Sequence, residues 1–184
     1  MKRTCTFGCL VALVIAGLFV GCTTAPKSEE DKQTLATNAT AALKNFNTKD
    51  DTLQPMLDKS VGYVIFPDIG KAGFIVGGSY GRGEVYERGM RIGYADMTAA
   101  SAGLQAGAQN FTELLVFMKQ DEFDKFKMGN DFSLGANVSA VALSKGAAGA
   151  TDQGKSVIAI VDAKGGLMAE AAVGGQRIRY MPVK

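Results

Sequence analysis

The chain has 184 residues, 20 of them basic and 18 acidic, and neither histidine nor tryptophan. That length suits one domain plus whatever the N-terminus carries. Without histidine there is no His-based acid–base catalysis, no Ser-His-Asp or Cys-His nucleophile, and no use of the commonest transition-metal ligand. An enzyme is disfavoured, with carboxylates and lysines the groups left to serve one.

Met1-Lys2-Arg3 is a short positive segment, and the apolar run from Phe7 to Val20 follows it. Together they read as a secretory signal, too short and wrongly flanked for a transmembrane helix. The run ends Leu18-Phe19-Val20-Gly21-Cys22, the pattern of a bacterial lipobox, with phenylalanine where leucine is usual. An ordinary signal peptide with an incidental cysteine is the alternative. The lipobox reading predicts that residues 1–21 are removed, that Cys22 is lipidated, and that residues 22–27 form a tether to one domain over 28–184. Cys5 and Cys9 leave with the signal. Losing Lys2 and Arg3 brings the basic count to 18, level with the 18 acids. A formally neutral chain gives no whole-molecule case for nucleic-acid binding. One acyl chain holds a protein only marginally, whereas several hold it stably. Thr23 after the cysteine, by the sorting habit of Gram-negative lipoproteins, points to the outer membrane on its periplasmic side.

Ser28 with Asp31 three residues on reads as a capping box, and Leu35, Ala39, Ala42, Leu43 and Phe46 recur at helical spacing. A helix lying on the membrane is the alternative, but its polar face lacks dense Lys/Arg. Asp50-Asp51-Thr52 can cap a second short helix that turns Leu53, Met56 and Leu57 inward.

From Val61 the chain becomes glycine-rich, which suits bent strands and tight turns rather than helix interiors. Val61–Phe66 reads as a strand ended by Pro67-Asp68. Ala72–Tyr80 and Gly83–Arg88 read as a hairpin across Gly81-Arg82, a pair that suits a type II′ turn. Further strands are predicted over Met90–Ala100, over 102–109 from its strict alternation, and over Thr112–Met118. The last is a continuous apolar run apart from Glu113, so it should be central with both faces covered. Asp121–Met128 is a short helix with Phe123 and Phe126 inward. Phe132–Leu143 alternates as a strand, Lys145–Gly154 is a small-residue loop, and strands follow at Val157–Val161, Leu167–Val173 and Gln176–Met181. Eight or nine strands with few intervening helices predict an α+β fold. Its core is a curved, largely antiparallel sheet or barrel, with two N-terminal helices and one short inserted helix.

Gly77-Gly78-Ser79-Tyr80-Gly81-Arg82-Gly83 has the look of a phosphate loop but lacks the Gly-Lys-Ser/Thr ending, and a strand follows it. Asp68, Glu84, Glu87, Asp96 and Glu113 show no metal-site or paired-carboxylate spacing and read as solvated positions. Glu113 is the exception, since an acid inside an apolar strand needs a partner. No cofactor or metal is called for. Basic residues gather around the opening hairpins (Lys71, Arg82, Arg88, Arg91) and at the C-terminus (Arg177, Arg179, Lys184). If these ends meet they form a patch able to bind lipid phosphate; charged edge strands that resist aggregation are the alternative.

The ordered set Val61–Phe66, Lys71-Ala72-Gly73-Phe74, Gly77–Gly83, Gly103-Leu104-Gln105-Ala106-Gly107, Glu113–Phe117, Leu134–Ser139, Gly166-Leu167-Met168 and Gly174-Gly175 resembles the SYLF domain family. The family includes the yeast actin-regulating proteins. The resemblance runs from about Met56 to Ile178. It implies binding rather than catalysis: eukaryotic relatives bind phosphoinositides and actin filaments, and bacterial relatives are envelope proteins thought to bind phospholipid. The chain departs from the eukaryotic pattern at Ala142–Gly146, where a Gly-Pro turn is usual, and at Ser156–Asp162, where tyrosines are. A periplasmic protein would also meet no actin. The expectation is therefore a non-enzymatic, lipid-anchored periplasmic protein that binds anionic phospholipid headgroups through Lys71, Arg82, Arg177 and Arg179. The rival is an envelope module that docks another protein and touches membrane only passively.

Overall fold

The computed structural model describes residues 26, 28–73, 76–102, 109–129, 131–134, 138–151, 154–163 and 175–183, with backbone alone at 71–73, 76, 77, 101, 102 and 109. The predicted strand over 167–173 and the stretch 103–108 lie outside the described residues, as do Cys22 and Lys184. The chain runs α1 (Glu29–Lys49), α2 (Leu53–Lys59), β1 (Gly62–Gly73), β2 (Val76–Glu87), β3 (Met90–Ala102), β4 (Gln109–Phe117) and α3 (Gln120–Met128). It continues through β5 (Phe132–Ser133), β6 (Val138–Ala142), α4 (Ala147–Ala150), β7 (Val157–Ala163) and β8 (Gln176–Pro182). The eight strands form one sheet in the order β5-β8-β3-β2-β1-β4-β7-β6. Every pairing is antiparallel except β6 with β7. The α+β fold read from the sequence is the fold observed, with α4 added.

The sheet must curl. A flat eight-stranded sheet would hold its edge strands about 34 Å apart. Yet the edges are β5 and β6, and only residues 134–137 separate Ser133 from Val138, a reach of about 18 Å at most. Contacts across the interior bear this out. Glu113 Oε2 of β4 accepts a 2.7 Å hydrogen bond from Gln176 Nε2 of β8, although β1, β2 and β3 lie between those strands. The Phe117 ring of β4 lies 5.3 Å from Phe123 and 5.1 Å from Phe126 of α3, and 5.8 Å from Phe132 of β5. α3 therefore plugs one end of a half-barrel.

β4 shows how two layers share one sheet. Leu114 and Val116 join Ile65, Ile158 and Ile160 beneath α1, α2 and α4, while Leu115 and Phe117 enter the half-barrel with Val64, Phe66 and Met97. A strand buried on both faces is apolar at every step, which is why this run was legible.

The opening segment differs from its sequence reading. Pro67-Asp68 does not end the first strand: register passes from Ile65↔Glu84 to Asp68↔Arg82, so Phe66 and Pro67 together oppose Gly83 as a bulge. The bulge absorbs proline's missing donor, and Thr112 Oγ1 donates to the Pro67 carbonyl at 2.9 Å. Gly81-Arg82 is not a turn but lies within β2. A Cβ at Gly81 would stand 2.7 Å from Ile69 Cγ1, and one at Gly83 would stand 2.6 Å from the Ile65 carbonyl oxygen and 2.8 Å from the Phe66 ring. These glycines admit side chains folded over a coiled strand rather than a positive φ. The two-residue turn falls at Arg88-Gly89, between Glu87 and Met90. Both have positive φ, 50° and 78°, as a type I′ hairpin requires.

α1 begins where the capping pattern placed it, with Ser28 Oγ accepting from the Asp31 N–H at 3.0 Å. Ala39 and Phe46 of α1 are fully buried, as are the inward Phe123 and Phe126 of α3. Among the described residues no helix is long and apolar enough to cross a membrane. The corner after α1 rests on Asp50, whose buried side chain accepts from Thr52 N (3.0 Å), Thr52 Oγ1 (2.6 Å), Gly146 N (3.1 Å) and Ala148 N (2.7 Å). Thr52 Oγ1 in turn accepts from Gly149 N at 2.8 Å. α4 thus forms in a stretch read as loop because a distant carboxylate caps it. Burial alone would raise the Asp50 carboxyl, but the bonds from Ala148, Thr52 and Gly146 outweigh it and hold the group below 3.8.

Two stability outcomes follow. Asp50→Ala should cost about 3 kcal/mol in urea unfolding, because it orphans buried N–H groups of α4. Its folded pKa is depressed, so the wild-type advantage is complete above pH 3.8 and shrinks as pH falls through the folded value. Gly83→Ala should cost about 2 kcal/mol by overpacking against Ile65 and Phe66, and a Tm equal to that of the wild type would refute the close approach.

Candidate functional site

The outer face of the sheet is organised in rows across the strands, since directly opposed residues share a face. α1 lies over β1 and β2. Under this helical layer Glu84, 1% exposed, accepts from Tyr86 Oη and from Arg91 Nη1, both at 2.7 Å. Arg91 also lies 5.6 Å from the Tyr94 ring centre, and Tyr86 stacks on Tyr63 at 4.8 Å. Glu84, read from the sequence as a solvated acid, is therefore the buried partner that holds Arg91 in place. Nothing local in the sequence signalled this, because the pair is seven residues apart across the β2–β3 turn. Asp96, also read as solvated, is buried as well. Glu113 has the partner its apolar strand demanded, Gln176.

Two rows lie beyond this buried cluster. The first is Asp68–Arg82–Asp96–Arg179, across β1, β2, β3 and β8; the second is Gly70–Tyr80–Thr98–Arg177–Ser133, which reaches β5. Arg177, Arg179, Thr98 and Ser133 are exposed, and Tyr80 is 39% exposed. The pairing of β8 with β3 thus brings the C-terminal arginines onto the same face as Arg82, with β3 and its Asp96 between them. Arg82 Nε donates to Tyr80 Oη at 2.8 Å, which fixes the aromatic ring beside the guanidinium. Asp68 and Asp96 interleave with Arg82 and Arg179, whereas the neighbours of Arg177 in its row are the hydroxyl residues Thr98 and Ser133. Guanidinium forks and hydroxyls are donors matched to the oxygens of a phosphate or carboxylate.

Lys71 is not brought into either row: its register partners are Ser79 and Gln109. Arg88 sits exposed in the β2–β3 turn. Cys22 lies outside the described residues. Among the described residues no group of three or more His, Cys, Asp or Glu could hold a metal ion.

Residues 98–180 match the Ysc84 family, described as Las17-binding protein actin regulator. The resemblance read from about Met56 to Ile178 is thus matched from residue 98 onward, and the matched residues include Thr98, Ser133, Arg177 and Arg179. No curated protein matches the chain.

The buried cluster makes a spectroscopic prediction. Burial, then the hydrogen bond to Glu84, pushes the Tyr86 phenol up, and burial followed by the Glu84 charge raises Tyr63. In an ultraviolet titration from pH 9 upward, Tyr86 and Tyr63, and with them Tyr180, which burial also raises, should ionise later than free tyrosine does. Glu84→Gln should bring the Tyr86 transition to lower pH.

Proposed function

We propose that this chain, whose residues 98–180 carry the match of a SYLF domain family member, binds anionic phospholipid headgroups through the outer row centred on Arg177. One observation carries the reading: strand register sets the exposed Arg177 between the exposed Thr98 and Ser133, with the half-buried Arg82 and the exposed Arg179 in the adjoining row. Arg177 would take the phosphate through its guanidinium fork, Thr98 and Ser133 would donate to the remaining oxygens, and Arg82 and Arg179 would supply longer-range attraction. The role is one of binding, with no reaction assigned to any residue.

With three arginines set against Asp68 and Asp96, the two rows carry a formal excess of only one positive charge. Such a face binds weakly alone and is strengthened by a second attachment. Cys22, lipidated after removal of residues 1–21, would supply it. Acyl chains hold the domain on the periplasmic side of the outer membrane and raise the local concentration of headgroups the domain meets. The Lys71 contact expected from the sequence is not part of this row and is not needed for it.

The test is co-sedimentation of residues 26–184, without the acyl anchor, against anionic and zwitterionic vesicles at low and high salt. Binding should be confined to anionic vesicles and fall with salt. Arg177→Glu should weaken it about tenfold or more, since each basic contact near an anionic surface contributes about 1 kcal/mol and reversal adds repulsion. Equal binding to both vesicle types, or an unaffected Arg177→Glu variant, would defeat the assignment and favour a protein partner on this face.

A further inference from the structure

β8 carries two kinds of residue in alternation. Arg177 and Arg179 occupy the outer rows, while Gln176 and Ile178 are buried at 1% and 0% exposure. One neighbour of β8 is β3; the other is the two-residue β5 at the sheet edge. A strand so near an edge is held partly by what its inward side chains grip. Gln176 grips Glu113 across the half-barrel, Nε2 to Oε2 at 2.7 Å.

Glu113 is fully buried, and its Oε1 has no hydrogen-bond partner among the described residues. Its cross-strand neighbours are Phe66 on β1 and Val161 on β7, and its neighbours on the same face of β4 are Phe111 and Leu115. From β8 it faces Gln176 and Ile178, and the interior residues of β3 beside these are Ala99 and Met97. α3 contributes phenylalanines to the same interior. None of these described side chains is charged, so an ionised Glu113 would have one amide donor and no cation. As the acid, its O–H can donate to the amide oxygen of Gln176, completing a two-bond carboxyl–amide pair.

We propose that Glu113 and Gln176 form a proton-dependent clasp: protonated Glu113 holds β8 against β4 across the interior and so fixes the Arg177–Arg179 face, and loss of that proton releases β8. Burial raises the Glu113 carboxyl to about 8, against a smaller opposing effect of the Gln176 hydrogen bond. Because the folded value is raised, the clasp's contribution is complete below 4.5 and is lost as pH rises through about 8. The consequence for binding rests on the headgroup reading above; the movement of β8 does not.

Hydrogen exchange of the full chain in nanodiscs of zwitterionic or anionic lipid, at pH 6.5 and 9 and corrected for intrinsic rates, separates the two. In zwitterionic discs, the higher pH should lower protection of β8 at least tenfold relative to β1 and β2, and Glu113→Gln should abolish the change. Protection of β8 that stays flat, or that changes equally in Glu113→Gln, would overturn the clasp. In anionic discs at pH 6.5 added protection at β8 is expected, and it should fade at pH 9. If β8 responds to pH but not to lipid charge, the clasp stands and the headgroup reading fails. Should Glu113→Gln fold poorly, carbon-13 titration of the wild-type Glu113 carboxyl decides: a midpoint near 8 coinciding with the loss of β8 protection supports the clasp, and an ordinary carboxylate midpoint overturns it.

Discussion

Curling eight strands until the edges β5 and β6 can be joined by residues 134–137 is the constraint on which the other features depend. A sheet bent this far brings inward side chains of distant strands together and crowds the concave side. Glycine at 81 and 83 answers the crowding, because a methyl group there would collide with Ile69, Ile65 or Phe66. The Phe66-Pro67 bulge answers the bending, since an extra residue on one strand increases local twist. α3 answers the open end, filling it with Phe123 and Phe126 against Phe117. The Glu113–Gln176 contact is available only because the same curl sets β4 opposite β8.

The convex side follows a different logic. Helices cover part of it, and there the sheet presents apolar residues together with Glu84, a buried acid satisfied by Arg91 and Tyr86. Beyond the buried cluster, the rows turn to charge and hydroxyl. The division can be read along single strands: β2 passes from Tyr86 and Glu84 in the buried cluster to Arg82 and Tyr80 in the outer rows, and β3 from Tyr94 to Asp96 and Thr98. Each strand thus serves stability at one end and surface chemistry at the other.

Much of this organisation was legible in the sequence, because it depends on periodicity. The apolar run of β4, the stripe ending at Phe46 in α1, and Phe123 with Phe126 in α3 each report burial through spacing alone. Turn placement was less legible. Gly81-Arg82 carries the composition of a hairpin turn, yet its glycine serves a side-chain approach from Ile69 on another strand, and only the paired register distinguishes the two uses. α4 was hidden for a related reason: its cap, Asp50, lies 96 residues from Gly146. The candidate site was half legible. Arg82, Arg177 and Arg179 stood out as basic clusters, but their meeting depends on β8 pairing with β3. The same register explains what composition could not show, that Lys71 stands outside the rows and Arg91 is held by Glu84.

The aspartates among the arginines bear on what kind of surface this is. A face built for affinity to any polyanion would have omitted Asp68 and Asp96. With them, the first row alternates in sign, and long-range attraction is modest. On the proposed reading, selectivity would come from short-range geometry, the fork of Arg177 between two hydroxyl residues, which would reward a ligand whose oxygens fit that spacing. Such a face is ineffective at a distance and effective once held close, the condition that an acyl anchor at Cys22 would create. The weakness of the patch is therefore consistent with an anchored protein and would be a defect in a free one. It also makes the position of β8 matter: on that reading binding would depend on the placement of Arg177 as well as on charge, so a shift of this one strand would change it.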